Sequence, residues 1–396
     1  SAGEVSLAAA EGILPGGSIQ GSAQTDLGAE GGRLKIRYVA RSESNAGLSD
    51  NSGATLFIET PRKIIISKEK SQSEAEIPEQ GKAIADEANG YTWLDDSLLN
   101  DSGFDSIMLE GGNIIFEGDS GIIAQREVVL DSPVISWQQG NRLGDTGLAA
   151  ILSSYVALGS TVARNADDGV GGGGRLLVEA NMIDLVGATS LQGFNRANLN
   201  SNTDIRFRGS RKVRSTILGT QGEWNSSGRF ELAANQVYPA SLSDYTIKAD
   251  EVVIAKHKNV AEDVKAIFGR QANAIINNFS QSDMSPSVLS AGARLSIEAD
   301  MITQAGELRV PFGEISLKAK SRLNLLAGSL TSTSAEGQII PLGRTAQTGL
   351  DWQYDFAEGD TLRITRPPEK RILLSSDDVR LNKGAVIDMN GGGDLQ

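Results

Sequence analysis

Apolar and polar residues alternate along most of this chain in short runs, and the runs resemble one another. Leu295, Ile297 and Ala299 alternate with Arg294, Ser296 and Glu298, and Ile315, Leu317 and Ala319 repeat the pattern one short interval later. A period of two places one set of side chains on a buried face and the other in water, as in a β-strand. The phrase recurs at a distance as well. Arg175-Leu176-Leu177-Val178-Glu179-Ala180-Asn181-Met182-Ile183 aligns without gaps on Arg294 to Ile302, and related phrases start at Arg229, Glu314 and Arg371. A small Ala or Ser often holds the last inward position, as expected where a chain bends out of one strand into the next.

Gly-rich stretches separate the phrases, at Gly28 with Gly31-Gly32, Gly111-Gly112-Asn113, Gly171 to Gly174 and Gly391 to Gly393. These read as corners where φ > 0 is needed. Helical periodicity is almost absent, which argues against βαβ units and helical repeats. The chain is therefore expected to be all-β, and two architectures compete. A β-sandwich gives short alternating strands. A right-handed parallel β-helix, or β-solenoid rod, is favoured because similar phrases recur along most of the chain, Gly rather than Pro punctuates it, and Asn181, Asn235 and Asp300 fall at matching corners where amides can stack. With about 22 residues per coil and about 4.8 Å between strands, on the order of 15 coils and a rod of roughly 70 Å follow, fewer where insertions interrupt. One continuous unit over 1–396 is expected, with two projecting insertions. The first is 71–104, acidic, with a short helix near Glu79 to Asn89. The second is 256–287, with helical character from Val260 to Asn277.

Composition narrows the function classes. Aromatics make up 5% of the 396 residues, so a core must be assembled from small and aliphatic side chains. A net charge of -13 disfavours a nucleic-acid partner, and the basic group Arg206, Arg208, Arg211, Lys212 and Arg214 reads as a solvated turn. The absence of cysteine removes disulfides, thiolate metal sites and thiol nucleophiles. Apolar runs such as Ile64 to Ile66 are too short for a spanning helix. Neither end carries a recognisable start or stop, so both read as cuts through a longer polypeptide.

In the last third the run Thr303-Gln304-Ala305-Gly306-Glu307-Leu308-Arg309-Val310-Pro311-Phe312-Gly313-Glu314-Ile315 is followed by Leu326 to Gly337, by Thr348-Gly349-Leu350-Asp351-Trp352, and by Gly384 to Leu395. In order and spacing these resemble a region of the large bacterial filamentous-haemagglutinin-like exoproteins. The resemblance is strong within the C-terminal third, whereas the upstream half shares only style, notably at Gly103-Phe104-Asp105-Ser106-Ile107. It implies a Gram-negative two-partner secretion protein, exported through an outer-membrane β-barrel transporter, located outside the cell or on its surface. Roles in adhesion, aggregation, filament formation and biofilm are implied with it, toward host-cell, glycan or neighbouring-cell surfaces.

Candidate chemistry is sparse. The one histidine, His257, lies between Lys256 and Lys258 and is read as incidental, which leaves no Ser-His-Asp constellation and no His-based metal site. Asp95-Asp96, Asp167-Asp168 and Asp377-Asp378, the last with Arg363 and Arg366 near in sequence, are carboxylate pairs. Adjacent strand residues point to opposite faces, so these read as acidic corners. Asp167 to Gly172 resembles a calcium loop only superficially. Trp93, Trp137, Trp224 and Trp352 are read as core or loop anchors. No catalytic, metal or cofactor-binding residue is assigned and the chain is expected not to be an enzyme. The alternative, a polysaccharide-active or polysaccharide-binding β-helix, requires three or more charged residues on one face of consecutive coils beside a groove.

Overall fold

The computed structural model describes residues 2–10, 12–15, 17–23, 30–39, 62–68, 90–140, 145–162, 165–212, 219–279, 286–345, 352–356 and 361–396. The chain is all-β with three short helices among these residues, and nearly all strand pairing is parallel. Three ladders account for it. The first stacks segments from Glu4–Ala9 and Gly32–Tyr38 through 182–187 to Val386–Asp388. A second runs from Tyr91–Asp95 and Lys63–Ser67 through 188–192 to Arg371–Ser375. The third runs from 120–124 through 174–180 to Val379–Leu381.

One long strand, Val170–Ser201, bends through all three ladders. It pairs Thr220–Asn225 and Arg229–Ala233, and both of these pair Ser243–Ala255, so the four parallel strands close into a ring. Where no insertion intervenes, a strand meets its partner after a single short coil of chain: Ile297 pairs Leu317, Ile107 pairs Val128, Leu308 pairs Thr331.

Register explains why the alternation is so regular. In the first ladder Val5, Leu34, Ile107, Val128, Val156, Ile183, Ile205, Val237, Leu308, Thr331 and Ile387 are partners in turn, one column of eleven side chains. Ten steps of about 4.8 Å make the stack roughly 50 Å tall, shorter than the roughly 70 Å expected, because insertions consume chain without adding rungs. From Leu34 to Leu308 the column belongs to one apolar cluster that extends on to Leu325. Part of it is aromatic. Trp224 lies parallel to Phe230 with centroids 5.4 Å apart, and Phe207 stacks on Tyr245 at 5.1 Å. Gly222 underlies Tyr245, and a Cβ there would strike the tyrosine ring.

Three expectations change. The stretch Gly171 to Gly174 is extended strand, not a corner. Glycine is needed there for close approach, since a Cβ on Gly173 would collide with the Asp145 carbonyl and one on Gly174 with the Trp137 ring. The aligned phrases at 175–183 and 294–302 occupy different faces: the first passes from the third ladder to the first, the second from the second ladder to the third. Both trace a strand, a corner and a further strand, and that local path is what their shared pattern encodes. Nor do the insertions simply project. Of 71–104, residues 71–89, with the expected helix, lie outside the described residues; Tyr91–Asp95 is a rung of the second ladder and helix α1, Asp96–Asn100, follows it.

The segment after Ala255 forms α2, Glu262–Phe268, and α3, Arg270–Ile276, within the helical region expected. Rather than standing off, the pair lies flat on the outside of the third ladder. Val264, Phe268, Ala272 and Ile275 bury against outward-facing Ile123, Ala150, Leu152 and Leu177. Those strands are apolar on both sides because both sides are covered.

Candidate functional site

Outward charges are mostly consumed in rung-to-rung pairs. Arg294 Nε donates to Glu314 at 3.1 Å, Lys318 pairs Glu298 at 2.9 Å, and Lys248 pairs Glu223 at 2.7 Å. On the first ladder the column Ala157, Asp184, Arg206, Tyr238 is in register. Asp184 is fully buried. Its carboxylate accepts two bonds from Arg206, at 3.0 and 2.8 Å, one from Arg208 at 3.2 Å and one from the Tyr155 hydroxyl at 2.7 Å. Burial and the Asp184 charge push the Tyr155 phenol up to about 12. The buried carboxylate takes four bonds from its neighbours, so the cluster ties rungs together. The solvated turn expected for Arg206 and Arg208 is therefore corrected: they are the counter-charges of a buried aspartate. Arg211 and Lys212 contribute a short antiparallel backbone pairing, and Arg214 lies outside the described residues.

A second cluster docks the helical insertion. The Glu179 carboxylate is buried, accepting from the Ala261 amide at 3.0 Å and the Asn200 amide at 2.6 Å, while Asn200 also bonds both backbone groups of Lys258. Lys258 Nζ pairs with buried Glu231. Burial, only partly offset by these donors and by Lys265, pushes Glu179 up to about 7. A raised carboxyl value means that the docked form holds its proton more tightly than the free form does. Docking is therefore strongest below about pH 4.5 and weakens as pH rises through about 7. Hydrogen exchange of 262–276, corrected for intrinsic rate, should show stronger protection at pH 5 than at pH 8, and Glu179→Gln should level the two. Equal protection in the unaltered protein would refute this.

His257 receives a definite place. Its Nδ1 lies 2.6 Å from Asn235 Oδ1, at the end of a corner file in which Asn235 bonds the Asn202 carbonyl and Asn202 bonds Asn181 Oδ1. The other singled-out residues disperse. Asp95 caps α1 through the Ser97 amide, and neighbouring Asp96 is buried, with its carboxyl raised to about 6 by that burial. Asp167 and Asp168 form no metal-type cluster with a third carboxylate among the described residues. Asp378 bonds Arg322 and Arg380, not Arg363 or Arg366. Trp137 and Trp224 are buried, and Trp93 stacks on Tyr91. Among the described residues no group of three His, Asp or Glu side chains converges as a metal site.

Trp352 leads to an open site. Strands Arg344–Thr345, Trp352–Asp355 and Thr361–Ile364 form a small antiparallel sheet. It is held at a corner of the stack by Leu242, Phe312, Ile340 and Leu342. Leu242 and Phe312 have φ of 56° and 50°, and this left-handed corner geometry is coupled with side chains that enter the apolar cluster. Clefts of about 620 and about 570 Å³ flank the strap 364–367. Beside the second, Asp244, Arg294 and Glu314 occupy three consecutive rungs in register. That meets the requirement set for the polysaccharide alternative, through residues that the sequence does not single out: they come from three separate strands and only register unites them. No protein-family model, no curated protein and no solved structure matches the chain.

Proposed function

We propose that the chain is a rod segment, folded as a right-handed parallel β-helix, of an exported bacterial surface protein of the filamentous-haemagglutinin kind, acting in attachment and self-assembly. The observation that carries this reading is the unbroken eleven-residue column. A continuous column with rung-to-rung charge pairing suits a spacer whose job is length and stiffness, and the insertions seated on its faces are what it displays. On this reading the partners are an outer-membrane β-barrel transporter for export and a host, glycan or neighbouring-cell surface for attachment.

Beads coated with the purified protein should adhere to cultured epithelial or bacterial cells in proportion to coating density, and electron microscopy should show elongated particles that join end to end at high concentration. Attachment no greater than that of albumin-coated beads, with only blunt single particles, would overturn the proposal.

A further inference from the structure

The cleft beside the antiparallel sheet has features that a spacer does not need. Its floor presents alternating signs on successive rungs, Asp244, Arg294 and Glu314, at the strand spacing of about 4.8 Å. Glu314 is held by Arg294, whereas no described group hydrogen-bonds the half-buried Asp244 carboxylate. Burial and the nearby Glu314 charge raise Asp244, against the pull of Arg294. The strap that lines both clefts carries Arg366, whose side chain is 78% exposed and pairs with the similarly exposed Glu369 at 3.4 Å. The adjoining cleft includes the Trp352 ring. The indole Nε1 of Trp352 donates to the Leu342 carbonyl, which fixes the ring's orientation.

An aromatic plane held in place, donors and acceptors alternating along a groove, and a volume within the usual range for small-ligand sites together match a polyhydroxylated chain. A hydroxyl donates to a carboxylate and accepts from a guanidinium, so both signs are used. The signs are balanced across the cleft and the whole chain carries -13, which disfavours a polyanion. We propose that the two clefts, which share Arg366 and the strap 364–367 in their lining, together bind a neutral oligosaccharide, with the Trp352 ring of the first as stacking platform and Arg366 and Asp244 of the second as the hydroxyl-binding groups. This deepens the adhesive part of the reading above by naming a ligand, and the two fail separately, since cell attachment through another surface needs no sugar in these clefts.

Trp137 and Trp224 are buried, so a change in tryptophan emission on sugar addition reports largely on Trp352, and Trp352→Phe separates any part due to Trp93. Titration of the full chain with cellohexaose, xylohexaose, mannohexaose, oligogalacturonate, a heparin octasaccharide and a mixed hexapeptide pool should give saturable quenching with at least one neutral sugar. Trp352→Phe should abolish the signal, and Asp244→Ala and Arg366→Ala should each weaken binding at least tenfold by calorimetry with unchanged melting curves. Arg366 is exposed, so its variant keeps the test valid if Asp244→Ala does not fold. Tighter binding of heparin, oligogalacturonate or peptide than of every neutral sugar, no binding at all, or Arg366→Ala binding as tightly as the unaltered protein would each overturn the proposal.

Discussion

Replacing Arg206 by alanine is expected to destabilise the middle of the stack by about 3–5 kcal/mol, the range for breaking a buried ion pair from one side. The asymmetry is the informative part. Asp184 has no exposure, whereas the Arg206 side chain retains a third of its own. Removing the arginine leaves a carboxylate that cannot reach water with only Arg208 and the Tyr155 hydroxyl to hold it. Removal of the aspartate leaves two cations that can turn outward. Arg206→Ala should therefore cost more than Asp184→Ala, and the double variant should recover part of the loss. Urea melts of the three variants decide it; a double variant less stable than Arg206→Ala alone would show that the pair is not what holds these rungs.

Trp224→Ala should cost a further large amount, about 3–5 kcal/mol, as do other aromatic truncations in packed cores. The ring is fully buried between Thr189 below and Ile247 above and stacks on Phe230. Its indole Nε1 finds no hydrogen-bond partner among the described groups, so it contributes shape alone and carries an unsatisfied donor. Trp224→Phe keeps most of the shape and sheds that donor. It should lose less than half of what the alanine variant loses, measured by thermal melting. Equal losses would mean that the nitrogen is bonded after all.

Alternation made the strands and their inward residues legible. Leu295, Ile297 and Ala299 do meet Ile315, Leu317 and Ala319, because a coil free of insertions leaves only one partner in reach. What alternation does not encode is the face. The corner at Asn181 and the corner at Asp300 have the same local chemistry, so the phrases around them align although they lie on different ladders. The α2–α3 docking site has a signal in the sequence: Ala149 to Leu152 is an unbroken apolar run, buried throughout, a strand with no wet side that demands a cover. The pairing of Arg294 with Glu314 follows from the same short coil, but the Asp184 cluster and the place of Asp244 in its row are not legible, because their members come from rungs separated by coils and insertions of unequal length. Partnership there is a property of register, and register is set by packing of the inward columns.

The direction of the ladder bonds has a mechanical consequence. Hydrogen bonds between strands run across them, and here therefore along the line joining the first rung to the last. A pull applied to the two ends of the stack loads these bonds one rung after another, so the weakest level yields first while the others hold. Within the first ladder the step between Gln236–Pro239 and Glu307–Arg309 is the thinnest, with Val237 and Leu308 its single paired residues, while Ser243–Ala255 and Arg294–Gln304 carry ten pairs across the same level. Under tension the first-ladder face is expected to open at that step first, with the other two faces still closed.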